Sequence, residues 1–316
     1  MGLLVLLGLL GLSLVWGKFP LSLNQVLEAL TTPQSGSPAA QVIWQLRLPR
    51  ALLAALVGAC LSLAGAALQA LLRNPLADPY LTGTSAGASL GTALAIVLPF
   101  GLPPSLAAFL GALAAVHWVS WLAQSGRRLR LAEFLLAGVM VSNLLGALVS
   151  LLLTLSGQNL SRLVFFLLGN LSEASWATLT WSAVAFLLGL LLLLPCAYPL
   201  NLMSLGEEMA LTTGVPAERI KRQTLLAASL LTGAAVSAAG LVGFVGLVIP
   251  HLCRGWVGAD LRRLFPLTVV WGAALLVGCD LLARSLPQEL PIGVITALLG
   301  APWFLWQLKV LRAQAA

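Results

Sequence analysis

The stretch Asn201–Arg222, NLMSLGEEMALTTGVPAERIKR, decides how the rest of the chain is read. The whole sequence holds 17 basic and 10 acidic side chains, and six of them fall here: Glu207, Glu208, Glu218, Arg219, Lys221 and Arg222. The run is too polar to lie in lipid. Leu202, Leu205 and Met209 nevertheless recur at helical spacing, and Gly206 and Gly214 punctuate them. Val215-Pro216 then precedes a new helix start, with Glu218 in the first turn where a carboxylate suits the helix dipole. The spacing predicts one or two short helices lying on a membrane face. Two readings stay open. One is a solvated loop between spans. The other is a docking surface, where a soluble partner grips both the apolar stripe and the acidic pair.

Around this stretch the chain is overwhelmingly apolar. Of 316 residues 59% are hydrophobic and 9% charged, with mean hydropathy +0.99. Soluble domains are about a quarter charged. Repeated apolar runs near the roughly 20 residues that cross a bilayer make this an all-α, polytopic membrane bundle. Residues 1–316 read as a single transmembrane domain. The net charge of +7 marks membrane-flanking loops and does not point to nucleic acid. Cys60, Cys196, Cys253 and Cys279 form no CxxC and lie in or beside apolar runs, so buried free thiols are expected, with neither disulfide nor metal site.

Ten spans are predicted. Met1–Trp16 is the first; it lacks the basic start and small-residue cleavage site of a signal peptide. After a polar connection, Arg47-Leu48-Pro49-Arg50 stands at the mouth of the second, Ala51–Leu72. Two prolines in Arg73-Asn74-Pro75-Leu76-Ala77-Asp78-Pro79 break the chain. The third span opens with Gly83, Gly87 and Gly91, spaced to let a neighbouring helix approach closely. The fourth, fifth and sixth run at about 102–123, 131–155 and 176–194, with a polar interruption at 156–175. The seventh runs at about 223–239. A short eighth is broken up by Gly240, Gly243, Gly246 and Pro250. The ninth (about 265–283) and tenth (about 291–310) close the chain. With both ends inside, 12 of the Lys and Arg residues fall on inner connections and five on outer ones, which places 201–222 in the cytoplasm.

No enzyme constellation is visible. His117 and His251 lie in or near spans and suit packing better than ligation, and Glu133 opens a span where it favours the dipole. Lys18, Lys221 and Lys309 are followed by Phe19, Arg222 and Val310, so no P-loop exists. Asp280 and Arg284 form the one opposite-charge pair attached to a span. Their four-residue spacing lets them neutralise each other, or leaves Arg284 at the outer mouth beside Arg47 and Arg50 to meet something acidic. A proton relay would need several intramembrane acids, which the chain does not supply.

Five stretches in order carry a resemblance: RLPR at 47–50, LxxNPLADPYLTGTSAGASLG from Leu71, LMSLGEEMALTTGVPAERIKR from Leu202, GLVGFVGLVIPHLCR from Gly240 and ELPIGVITALLGAPWFLWQLKV from Glu289. Together they resemble the FecCD/BtuC-type permeases of ATP-binding cassette (ABC) importers, which take up iron-siderophores, haem or cobalamin, over residues 40 to the end. The resemblance implies the type II importer permease architecture of about ten transmembrane helices, a second permease subunit of the same or related chain, two ABC ATPase subunits, and a periplasmic or lipid-anchored substrate-binding protein. It makes 201–222 the coupling segment, with Leu202, Ser204, Leu205, Gly206, Glu207, Glu208, Met209 and Gly214 seated on the ATPase. It makes Arg47, Arg50 and Arg284 the binding-protein contacts and Asn74, Pro75 and Leu76 the inner gate. Phe165-Phe166-Leu167-Leu168-Gly169-Asn170 departs from the family's usual Trp-Leu-Met-Gly-Ser, so no pathway residues are carried over there.

The expected function is therefore a permease subunit in the inner membrane, with both ends cytoplasmic, that moves a metal chelate, an iron-siderophore foremost, by alternating access. ATP and magnesium belong to the partner ATPase, and this chain catalyses nothing and binds no cofactor. The rival is an ion-coupled secondary carrier without an ATPase.

Overall fold

The computed structural model describes residues 1–17, 19–32, 36–98, 101–126, 128–206, 210 and 212–315. Among the described residues the secondary structure is helical apart from a two-residue antiparallel pairing, Gln124–Ser125 with Arg128–Leu129. In chain order the helices are α1 Gly2–Val15, α2 Leu23–Thr31, α3 Pro38–Gln41, α4 Leu48–Leu71, α5 Thr84–Val97, α6 Pro104–Leu122 and α7 Leu131–Leu155. There follow α8 Leu160–Leu167, α9 Trp176–Leu193, α10 Ala197–Leu205, α11 Ala217–Ala239, α12 Val245–Val257, α13 Leu261–Ser285 and α14 Ile292–Ala315.

Each of the ten apolar segments is helical. By length and composition, five stretches among the described residues can cross a membrane: Pro38–Leu71, Pro104–Leu122, Leu131–Leu155, Trp176–Leu205 and Leu261–Ser285. Gly2–Val15, Thr84–Val97, Val245–Val257 and Ile292–Trp306 are apolar but shorter. The helix α11 is long enough, yet its first turns carry Glu218, Arg219, Lys221 and Arg222, and much of the rest is Ala, Ser, Thr and Gly.

Burial explains this split. The helix α4 lies at the centre, packed along α13, α11, α12 and α9. The most apolar window of its stretch is 83% buried, against 22% for that of α7 and 28% for that of α6. A helix surrounded by helices needs small residues for close packing; one facing lipid needs a greasy surface. Accordingly α7 exposes Leu136, Met140, Leu144, Leu151 and Leu155, while α4 and α11 bury alanines and glycines. Backbones meet where glycines cross. A methyl group on Gly65 would fall 1.9 Å from the Gly246 carbonyl, and one on Gly58 2.1 Å from that of Gly272.

The predicted close approach of α5 holds for two of its three glycines. Gly87 and Gly91 lie against the Gly111 and Ala107 carbonyls of α6. Gly83 does other work: it caps the helix at φ +83°, a conformation that only glycine adopts freely.

Three local features differ from the sequence expectations. Arg47-Leu48-Pro49-Arg50 is not at a helix mouth but inside a continuous helical stretch, 38–71. Pro49 has no N–H and its ring would strike the carbonyl four residues back, and the helix widens into a π-turn over Val42–Arg47 just before it. Pro250 does not interrupt α12. The Gly246 carbonyl that its missing N–H orphans accepts from Gln69 Nε2 of α4 at 3.2 Å. The connections at 18–45 and 156–175 hold α2 and α8, short amphipathic helices. One face of α2 (Val26, Ala29) closes a small core with Leu21, Ala40 and Ile43.

Candidate functional site

Predicted site residues gather at the two ends of α4. At its C-terminal end the chain turns sharply. Arg73 takes φ +51°, the Asn74 side chain accepts from the Leu76 N–H at 2.9 Å, and Asp78 accepts from Tyr80 N–H at 2.8 Å. These side-chain acceptors replace helix bonds that Pro75 and Pro79 forbid. The Tyr80 hydroxyl then bridges the N–H and carbonyl of Val242, both at 3.0 Å, tying this turn to the non-helical segment before α12.

The 201–222 segment comes to the same end. Gly206 ends α10, Gly214 turns at φ +77°, and Glu218 opens α11. Leu200, Met203, Ala210, Val215 and Ala217 point inward, whereas Ser204, Leu205, Thr212, Thr213 and Gly214 are exposed, Leu205 at 71%, and Leu202 is half-buried. Glu207, Glu208 and Met209 lie outside the described residues. Two ties hold the segment in place. Asn201 donates to Asp260 at 2.6 Å and accepts from the Leu261 N–H, fixing α10 to the start of α13. Glu218 accepts from the Leu129 N–H at 2.8 Å and pairs with Lys221 at 2.9 Å, fixing α11 to the α6–α7 turn.

Electrostatics follow these contacts. Burial pushes the Glu218 carboxyl up, but the Leu129 N–H and Lys221 outweigh it, and the net shift is downward. The hydrogen bonds from Arg262 hold Asp260 down at about 2. Both stay ionised at neutral pH. Pro75 of the turn and Ser204 of α10 line one cavity of about 210 Å³, together with Gln69, Arg73, Arg254 and Leu261. Pro75 and Ser204, expected from sequence in separate roles, are thus neighbours.

At the N-terminal end of α4 the three predicted arginines converge, each bonded within the chain. Arg47 is buried; Nη1 donates to the Leu14 and Val15 carbonyls at 2.5 and 2.9 Å, and Nη2 donates to Phe19. It closes the open end of α1. Arg50 pairs with Asp280 at 2.7 Å and with Glu289 at 2.7 Å. Arg284 lies 3.1 Å from the other Asp280 oxygen and donates to the Ser13 carbonyl at 3.1 Å. The Asp280–Arg284 neutralisation is therefore real. Its third member is Arg50, grouped with Arg284 from sequence but not paired with Asp280, which stands 230 residues away.

Sequence reading also left the 156–175 region without a role. There a second cavity, about 260 Å³, lies between Thr92 of α5, Ser105 of α6, Arg162 and Phe166 of α8, and Asn170. The polar residues at 162, 170 and 173 were visible signals, but only the fold shows them facing Thr92 and Ser237.

This is a polytopic α-helical membrane protein with polar sites at both ends of a buried central helix. The chain belongs to the FecCD transport family, whose profile matches residues 3–309. It is 46% identical over 274 residues to YvrB of Bacillus subtilis, an uncharacterised ABC transporter permease protein, covering 83% of this chain and 77% of that one. It is 43% identical over 280 residues to BtuC of Halobacterium salinarum, a cobalamin import system permease protein, covering 87% and 76%. A solved structure described as an inward-facing conformation of a metal-chelate type ABC transporter superposes with TM-score 0.86 at 36% identity, covering 95% of each chain.

Proposed function

We propose that residues 1–316 form one permease unit of an ABC importer, crossing the inner membrane ten times in the type II arrangement with both ends cytoplasmic. Two such subunits enclose the pathway, two ATPases bind below, and a binding protein delivers a metal chelate from above, an iron-siderophore foremost, with haem or cobalamin as the wider class. What supports ten crossings is that every apolar segment is helical and that the short ones pack against α4, α6 or α13.

The observation that carries the mechanism is the shared cavity between the Arg73–Pro75 turn and α10. ATP-driven closure of the partners presses on Ser204, Leu205 and the 206–214 run. Because α10 is bonded to Asp260 and shares the cavity wall with Pro75, the push reaches the turn at the foot of α4 directly. Asn74, Pro75 and Leu76 are the gate that this motion opens inward. At the other end, Arg50 receives an acidic group of the binding protein, with the buried Arg47 and Arg284 of the predicted trio holding the frame behind it. Arg50 is the best placed of the three, since its Glu289 partner is partly exposed and exchangeable.

The test is charge reversal at Glu207 and Glu208 together with Leu205→Asp, in vesicles holding the reconstituted importer. ATP hydrolysis persists while chelate uptake falls at least tenfold. Uptake at the wild-type rate would refute the coupling assignment.

A further inference from the structure

The cavity between α4, α10, α12 and α13 has a chemistry that coupling alone does not explain. Arg73 and Arg254 both line it. Among the described residues neither arginine forms an ion pair. Arg254 is half-buried and donates to the neutral Gln69 Oε1 at 2.6 Å. The nearest acidic candidate by element, Asp260, is held by Arg262 and Asn201. Two guanidiniums thus face about 210 Å³ of space without a counter-charge. Arg73 is exposed and Arg254 half-buried, and guanidinium matches phosphate oxygens two at a time.

The other walls are polar at Gln69, Asn201 and Ser204 and apolar at Ala70, Pro75, Leu200, Ala259 and Leu261. Two of the four elements around the cavity also expose an aromatic ring, Tyr198 on α10 and Trp256 on α12. Exposed Tyr and Trp mark headgroup depth. The helix ends agree, since α4 and α12 finish here and α13 begins.

We propose that this cavity binds a phosphate-type anion, the headgroup phosphate of an anionic phospholipid, on Arg73 and Arg254. The glycerol portion lies against Pro75 and Ala259. A bound headgroup would wedge between the Arg73–Pro75 turn and α10, so lipid composition would set how easily the two move apart. The binding claim stands whether or not the chain carries a chelate.

The full chain is purified in a mild non-ionic detergent and freed of lipid, and adducts are followed by native mass spectrometry. Phosphatidylglycerol, phosphatidylcholine and inorganic phosphate are the probes. Phosphatidylglycerol is retained over phosphatidylcholine, and Arg73→Gln and Arg254→Gln each weaken retention about fivefold. If inorganic phosphate displaces phosphatidylglycerol with the same arginine dependence, the anion site holds and its source is soluble phosphate. Equal retention of both lipids, or retention unchanged in the variants, overturns the proposal. Should Arg254→Gln fail to fold, Arg73→Gln decides, because the Arg73 side chain is exposed and makes no bond that folding needs.

Discussion

Replacing Asp280 with Asn isolates the charge cluster that joins α1, α4 and α13. The Asp280 side chain is 1% exposed and contacts Arg50 Nη2 at 2.7 Å, Arg50 Nε at 2.8 Å and Arg284 Nε at 3.1 Å. Asn keeps the shape but removes the carboxylate that contacts both arginines. Deleting one partner of a buried ion pair costs about 3–5 kcal/mol. Arg50 keeps Glu289 at 2.7 Å and Arg284 keeps the Ser13 carbonyl, so the low end, about 3 kcal/mol, is expected. At roughly 2 °C per kcal/mol for a chain of this size, the apparent Tm falls by about 6 °C. The assay is thermal unfolding of the purified permease in mild detergent, followed by fluorescence-detected size exclusion. The double variant Asp280→Asn/Arg284→Met recovers part of the loss, because it also removes a stranded cation. A drop below about 2 °C, or a double variant less stable than the single one, would refute the reasoning.

Gly65→Ala places its methyl 1.9 Å from the Gly246 carbonyl and forces α4 from α12; a loss of about 2–3 kcal/mol is expected, seen as a lowered Tm and yield. Gly146→Ala on α7 meets nothing within 4 Å, and its Tm stays level or rises. The Glu218 contacts set an acid limb. The folded pKa lies below the ordinary value of 4.5, so their stabilisation is complete above that value and is lost as pH falls through the lower folded one. Stability measured from pH 7 to 3 therefore drops at the acid end, and Glu218→Gln flattens that drop; an unchanged profile in Glu218→Gln contradicts it.

The positions of the spans were legible because lipid imposes one rule on every exposed turn, an apolar surface of sufficient length. The rule fails for α11, which is buried by neighbours and reads as small and polar residues, and for α5 and α12, which are short. It is silent on α2 and α8, whose amphipathic faces look like ordinary loop sequence. Charges were legible where partners are local. The i, i+4 spacing gave Asp280–Arg284, and the outer-mouth reading set Arg50 beside Arg284, but nothing in sequence paired Arg50 with Asp280. Likewise the 73–79 turn and the 201–222 segment each carried strong signals of Pro, Gly or Glu. Their adjacency depends on α4 ending where α10 crosses the start of α13. Gly83 shows the opposite failure: a GxxxG spacing predicted helix contact, while the residue is needed for its positive φ.

The central claim is that this chain is driven by ATPase partners through the 201–222 segment. The most direct measurement is purification of the tagged chain from native membranes, with mass spectrometry and an ATPase assay on the product. A P-loop ATPase recovered in equal amount, with hydrolysis raised by a co-purifying binding protein, is the predicted result, and that protein's bound ligand would name the cargo. A chain that purifies alone, hydrolyses no ATP and still supports uptake driven by an ion gradient would contradict it.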